Sequence, residues 1–435
     1  MVVTPNLETP VRGAPVAKSF VDYVRSMGPG IVVVLTWLGA GDIVQSAAAG
    51  GSYGYALMWA FALCLAIRYL FVSIIAKYQL CNQHGESVLA GLTRLHPLFA
   101  PFVFICSLIL SHAVGVYLLT GAAQASVKLT RLGSTKSWAI GLSLLAFIIV
   151  SRPFYRFIEK VFFLLLALLT LSLVGLAAWA GPNFLEIVKG TFGFAIPNTI
   201  GRFDAVWIMV ALVGAVGGGL ANLMYPYFIK EKGWLTPAHL RVQRYDLILG
   251  ILVLIILDLS VWVVGAEVLR PRAINVIDLE SLARLLGEVF GRFGTALFYL
   301  GIFAALNSSI IGNGVAYGYL AGDAFHHWRA SDKSTSEDGY RTHRSYRWIV
   351  SWVILSPLFW VQLGQSDFVG LTLTVNALQV VILPVLVLGV WLITAKTKYI
   401  GATYRNNWWE NTTMAFLLGL AFIGSYFALA SVLST

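Results

Sequence analysis

Charge is what this chain has least of. Only 11% of its 435 residues are Asp, Glu, Lys or Arg, and 58% are hydrophobic. The mean hydropathy is +0.79. Soluble domains carry about 25% charged residues, so this shortage excludes a soluble enzyme and a soluble nucleic-acid binder and predicts a chain that lives in lipid. Cysteine is nearly absent too. Cys64, Cys81 and Cys106 are an odd number without C-x-x-C spacing, which excludes a disulfide framework and a thiolate metal cluster; they read as inert apolar residues. Short segments of alternating polarity are missing, so a β-barrel is excluded. The first 25 residues lack an apolar core, and no cleavable signal peptide is expected. The net charge of +10 fits basic loops on one side of a membrane, with no nucleic acid implied.

Long apolar runs are what the chain has instead. Runs near or above the ~20 residues needed to cross ~30 Å of hydrocarbon predict eleven spans, near 29–52, 54–77, 99–124, 135–152, 158–181, 205–229, 243–266, 288–321, 347–362, 369–395 and 413–434. The run near 288–321 exceeds one crossing, so its end should project into water. The Ser-, Asp- and Lys-rich stretch from Ala330 to Arg344 reads as a mobile loop. With the N-terminus inside, every Lys and Arg except Arg68 divides twenty to nine in favour of the cytoplasmic side. That predicts a cytoplasmic N-terminus and an outside C-terminus.

Two spans are interrupted by glycine. The first reads Gly28-Pro29-Gly30 to Trp37, then Leu38-Gly39-Ala40-Gly41-Asp42, then Ile43 onward; the sixth carries Val216-Gly217-Gly218-Gly219. Each glycine costs a helix about 1 kcal/mol relative to alanine, and unwound backbone survives at membrane depth only where it lines a cavity or lies within protein. Breaks at corresponding places mark a transporter's binding site. Five spans separate the two, so the repeat is inverted: an N-terminal segment 1–28, five-helix units at 29–181 and 205–395, and an eleventh helix at 413–435.

The first span, with Gln45, Ala49-Gly50-Gly51-Ser52-Tyr53-Gly54-Tyr55 and Trp59, resembles the Nramp divalent-metal transporters without a gap. Ala76-Lys77, Gly85-Glu86, Asn307-Ser308-Ser309 with Gly312, and Gln379-Val380-Val381 before Pro384 add to the likeness. The resemblance implies an all-α, leucine-transporter-like fold and metal transport, in that family usually coupled to protons. The departures are specific. The family's Asp-Pro-Gly-Asn is Gly39-Ala40-Gly41-Asp42 here, so its ligand Asp falls on Gly39 and its ligand Asn on Asp42. Its Met-Pro-His falls on Gly218-Gly219-Leu220, which removes the thioether that favours soft metals. A later histidine falls on Tyr225, and an acidic relay pair falls near Gly115 and Leu118. The backbone ligand expected at Ala215 and the glutamine at Gln379 persist.

These residues predict the site. Asp42 is the anionic candidate, because a carboxylate near the bilayer centre is costly unless it is paired or functional; an Asp ahead of Ile43 could instead cap a helix. Ala215, Gly217, Gly218 and Gly219 would offer carbonyls, with Asn222 and Gln379 beside them and Asp42, Ala215 and Gln379 holding the metal. Tight helix packing is the bland alternative for the glycines, and interhelical hydrogen bonds are that for Asn222, Asn307, Ser308, Asn313 and Asn376. Arg68 and Asp258 should lie at similar depth and form a buried pair, or each pair nearby, as a structural lock or as a coupling element. His112 reads as a packing histidine, and His326-His327 with Asp323 as a solvated face. Gly50 to Gly54 spells G-x-S-x-G, but it joins two membrane helices and is not a hydrolase elbow. The chain is therefore read as a non-enzymatic transporter in a prokaryotic plasma membrane, without a cofactor. Its cargo is a small cation, Mg2+ or Mn2+, with weak or no proton coupling; an amino acid or amine is the alternative. Lipid is the expected partner, and a monomer is compatible with the sequence.

Overall fold

A computed structural model describes residues 13–26, 40–151, 155–198, 202–215, 217, 219–329, 344–364 and 367–433. Every regular element among them is helical. The chain order is α1 Phe20–Ser26, α2 Ala40–Tyr53, α3 Met58–Cys81, α4 Val88–Leu95, α5 Phe99–Thr130, α6 Thr135–Ser151, α7 Tyr155–Ala180, α8 Phe184–Phe192 and α9 Ala205–Ala215. Then follow a 3-10 turn Leu220–Met224, α10 Tyr225–Glu231, α11 Leu240–Val264, α12 Leu279–Arg329, α13 Arg344–Leu355, α14 Leu358–Gln362, α15 Phe368–Gln379, α16 Leu383–Ala395, α17 Thr397–Ile400 and α18 Trp408–Leu433.

Among the described residues, seven helical stretches are long and apolar enough to cross a membrane, or eight if the bent pair Ala167–Ala180 and Phe184–Phe192 counts as one. The difference from eleven has local causes. The start of the first span lies outside the described residues. The 17 residues of α6 reach only about 25 Å at 1.5 Å each. The ninth stretch breaks between α13 and α14 at Ser356-Pro357, where proline removes a donor and disfavours helix in the residue before it. The long eighth stretch is kinked near its start: Gly291 has φ 58 inside α12, separating residues 279–290 from the apolar run that follows. The loop expected from Ala330 lies outside the described residues.

Small residues let the central helices touch. A Cβ added at Gly50 would lie 2.3 Å from the Trp262 carbonyl oxygen, and one at Gly265 would lie 3.0 Å from the Gly51 nitrogen, so α2 and α11 meet backbone to backbone. A Cβ at Gly214 would lie 1.7 Å from the Asn376 carbonyl oxygen, which joins α9 to α15. α5 and α12 form the most extensive helix pair around this centre. The shorter helices carry their own caps: Ser87 accepts from the Ala90 amide ahead of α4, and Asn183 from the Glu186 amide ahead of α8.

Three long-range contacts tie helix ends together. Arg202, ahead of α9, pairs with Asp367, the N-cap of α15. A cavity of about 650 Å³ is lined by Tyr55, Glu186, Lys189, Glu267 and Arg270, among others. Tyr55 donates to Glu267 at 2.9 Å; burial first, and this bond second, push its hydroxyl above the usual tyrosine value. Tyr227 donates to Asp323 at 2.6 Å and Lys77 to Glu410 at 2.7 Å. Asp323 is therefore buried, 3% exposed, and not the solvated group expected from its loop-edge position. It accepts from α10, an element far away in sequence. The three cysteines are free, two of them buried.

Candidate functional site

The sixth stretch is interrupted where the glycines stand. α9 ends at Ala215, and the next helical residue is Leu220, in a 3-10 turn. Gly219 takes φ −70 and ψ −118, outside the helical region. The carbonyls ending α9 lack intrahelical partners and carry the negative end of its dipole. Asn222 spans the break: its Nδ2 donates to the Gly217 carbonyl at 3.0 Å. The Gly217 oxygen is thereby engaged, and Asn222 acts as a brace within its own span. Val216 and Gly218 lie outside the described residues.

The first stretch carries the candidate acid. Asp42 lies in the first turn of α2 as described, within the helix and not ahead of it as a cap would be. It is 2% exposed, and its Oδ2 has no hydrogen-bond partner. Gln45 and Ser46 lie three and four residues on, on the same helix face. Both are fully buried, and the Gln45 amide atoms and the Ser46 hydroxyl also lack partners. Gly39, expected in the site, lies outside the described residues.

α15 links the two breaks. A Cβ at Gly41, next to Asp42, would lie 3.0 Å from Asn376 Nδ2 and 3.7 Å from the Tyr117 hydroxyl. A Cβ at Gly219 would lie 3.1 Å from the Gln379 carbonyl oxygen. Gln379 Nε2 donates to Asn376 Oδ1 at 2.9 Å, which leaves the Gln379 side-chain oxygen for a ligand. Asn376 Nδ2 has no partner. The two interrupted stretches thus both adjoin α15, the first through Gly41 at Asn376 and the sixth through Gly214 and Gly219 at the Asn376 and Gln379 carbonyls. Asn376 and Tyr117 stand beside Gly41. Asn376 had a sequence signal in its i, i+3 spacing to Gln379 on one helix face. Tyr117 had none, since it reaches the site from α5.

Arg68 of α3 and Asp258 of α11 are both buried, and no hydrogen bond joins them. Arg68 lies within electrostatic reach of both Asp42 and Asp258. Both oxygens of Asp258 lack hydrogen-bond partners. The result is a cluster of three ionisable groups. Other polar residues have local roles. His112 braces α5: Trp360 Nε1 donates to its Nε2 at 2.8 Å, so its Nδ1 carries the proton toward Ser356 Oγ, also at 2.8 Å. Tyr225 donates to Asp246 at 3.1 Å. Asn307, Ser308 and Asn313 bond back to carbonyls of their own helix.

Three comparisons bear on this arrangement. The family model for Nramp, natural resistance-associated macrophage protein-like, matches residues 30–431. The divalent metal cation transporter MntH of Bacillus subtilis (strain 168) is 21% identical over 311 residues, covering 68% of this chain and 70% of that protein. The natural resistance-associated macrophage protein 2 homolog of Dictyostelium discoideum is 23% identical over 318 residues, 69% of this chain and 48% of that protein. In fold, the chain is similar to the crystal structure of the Eremococcus coleocola manganese transporter in complex with an aromatic bis-isothiourea substituted compound. The TM-score is 0.77 at 16% identity, over 97% of this chain and 90% of that one.

Proposed function

Because this chain belongs to the Nramp family, an all-α membrane transporter family of leucine-transporter-like fold, we propose that it moves Mg2+ or Mn2+ across a membrane by alternating access. One observation carries the reading: a carboxylate oxygen of Asp42 waits buried and without a partner beside the interrupted sixth stretch. A buried carboxylate oxygen without a hydrogen bond is costly at that depth, and an arriving cation can bind it. Asp42 is the anionic ligand. Ala215 and the glycine carbonyls of the break, Gly219 foremost, supply neutral oxygens, and Gln379 closes from α15. An all-oxygen set suits hard cations.

Proton coupling is weak or absent in this reading. A Cβ at Gly115 would lie 2.3 Å from Pro357 Cγ, so the family's relay acid has no room there. The two five-helix units, at 29–181 and 205–395, rock about the site, with 413–435 outside the repeat. The Arg202–Asp367 end faces outward and the Lys77–Glu410 end faces the cytoplasm of a prokaryotic cell. A second reading is favoured by Arg68: with Asp42 it sets both signs of charge close together, as a zwitterionic amino acid would need.

Calorimetric competition separates these readings and tests metal choice. The protein is expected to bind Mn2+ with little preference for Cd2+ and no competition from amino acids. Tight, selective Cd2+ binding would bring sulfur into the site, from Met209 or Met224, both buried. Displacement by amino acids would favour the second reading.

A further inference from the structure

The third member of the buried cluster has no place in the ligand set just described. Asp42, Arg68 and Asp258 come from α2, α3 and α11, and none is more than 2% exposed. Their formal sum is −1. α11 meets α2 backbone to backbone at Gly50 and Gly265, so it cannot retreat from the charge on α2. A guanidinium beside the anionic ligand opposes an incoming divalent cation, since like charges at low dielectric repel strongly. A cation transporter that keeps one there needs somewhere to put it. Asp258 offers that place: both its oxygens are buried and accept no hydrogen bond, while a guanidinium fork fits a carboxylate with two parallel bonds.

Resting on the divalent-cation reading, we propose that Arg68 is a tethered counter-cation, which screens Asp42 in the empty site and withdraws onto Asp258 when a divalent cation takes its place. The ligand carboxylate is then never left bare at membrane depth. Loading the site displaces an internal charge, and no proton need move. Asp258 acts as a positioning residue: it touches no cargo and holds Arg68 away from it.

Mn2+ titration of the purified full-length protein tests this with two variants. Asp258→Asn removes the receiving carboxylate, so Arg68 stays at Asp42 and Mn2+ affinity should fall by about tenfold or more. Arg68→Gln combined with Asp258→Asn removes competitor and receiver together and keeps the formal sum at −1. It should regain wild-type affinity or exceed it. A merely structural lock would leave the double variant as weak as the single one. Wild-type affinity in Asp258→Asn, or a double variant that binds more weakly than wild type, overturns the proposal. If Asp258→Asn does not fold, the double variant against wild type decides. Absent Mn2+ binding in the wild type would instead overturn the divalent-cation reading, and this inference with it.

Discussion

Asp42→Asn is expected to reduce divalent-cation affinity tenfold or more, which is about 1.4 kcal/mol or above. The substitution keeps the size of the side chain and removes the one anionic ligand assigned to the cargo. A hydrated ion would then face only carbonyl and amide dipoles. Asn376 and Tyr117 next to Gly41 cannot replace the charge. Adding Gly39→Asp to Asp42→Asn puts the acid where the Nramp pattern has it, and should restore part of the affinity. Divalent ions accept oxygen ligands in several arrangements, whereas an organic amine would need its carboxylate in one place and should not be rescued. Calorimetry on both variants checks this; unchanged affinity in Asp42→Asn would remove Asp42 from the ligand set.

Gly214→Ala, in the last turn of α9, is expected to damage the protein more than Gly219→Ala in the break. The added carbon would stand 1.7 Å from the Asn376 backbone oxygen, and neither α9 nor α15 can move away without opening the site between them. Overpacking a core costs about 1–3 kcal/mol when side chains can adjust; here the obstacle is backbone, so the loss should exceed that range. Gly219→Ala meets the Gln379 carbonyl oxygen at 3.1 Å and should be tolerated far better. Thermal melting followed by size-exclusion chromatography distinguishes them. A Gly214→Ala protein that melts within a few degrees of wild type would mean that the α9–α15 contact is looser than described.

The residues that break helical regularity were the readable ones. Gly217 to Gly219 announced the interruption of the sixth stretch, because glycine acts on its own backbone. Asp42 stood out because a charge in an apolar run is conspicuous whatever surrounds it. What the sequence could not show was which separate helices meet. Arg68 and Asp258 were legible as buried charges, but their sharing with Asp42 depends on the packing of three helices. Asp323 looked solvated because Tyr227, which covers it, lies on α10. Tyr117 enters the site from α5 as one aromatic among many. The break at Ser356-Pro357 was locally written yet overridden in the reading by the apolar run around it. The amphipathic helices α4 and α8 carry capping residues, Ser87 and Asn183, but are too short to register beside membrane spans.

Uptake into proteoliposomes tests the central claim most directly. Vesicles containing the protein enclose one dye quenched by Mn2+ and a second that reports lumenal pH. Added Mn2+ should quench the first dye, more slowly in vesicles of Asp42→Asn, while the second dye stays constant. No quenching by Mn2+ and no uptake of Mg2+, in vesicles that do accumulate an amino acid, would contradict the account.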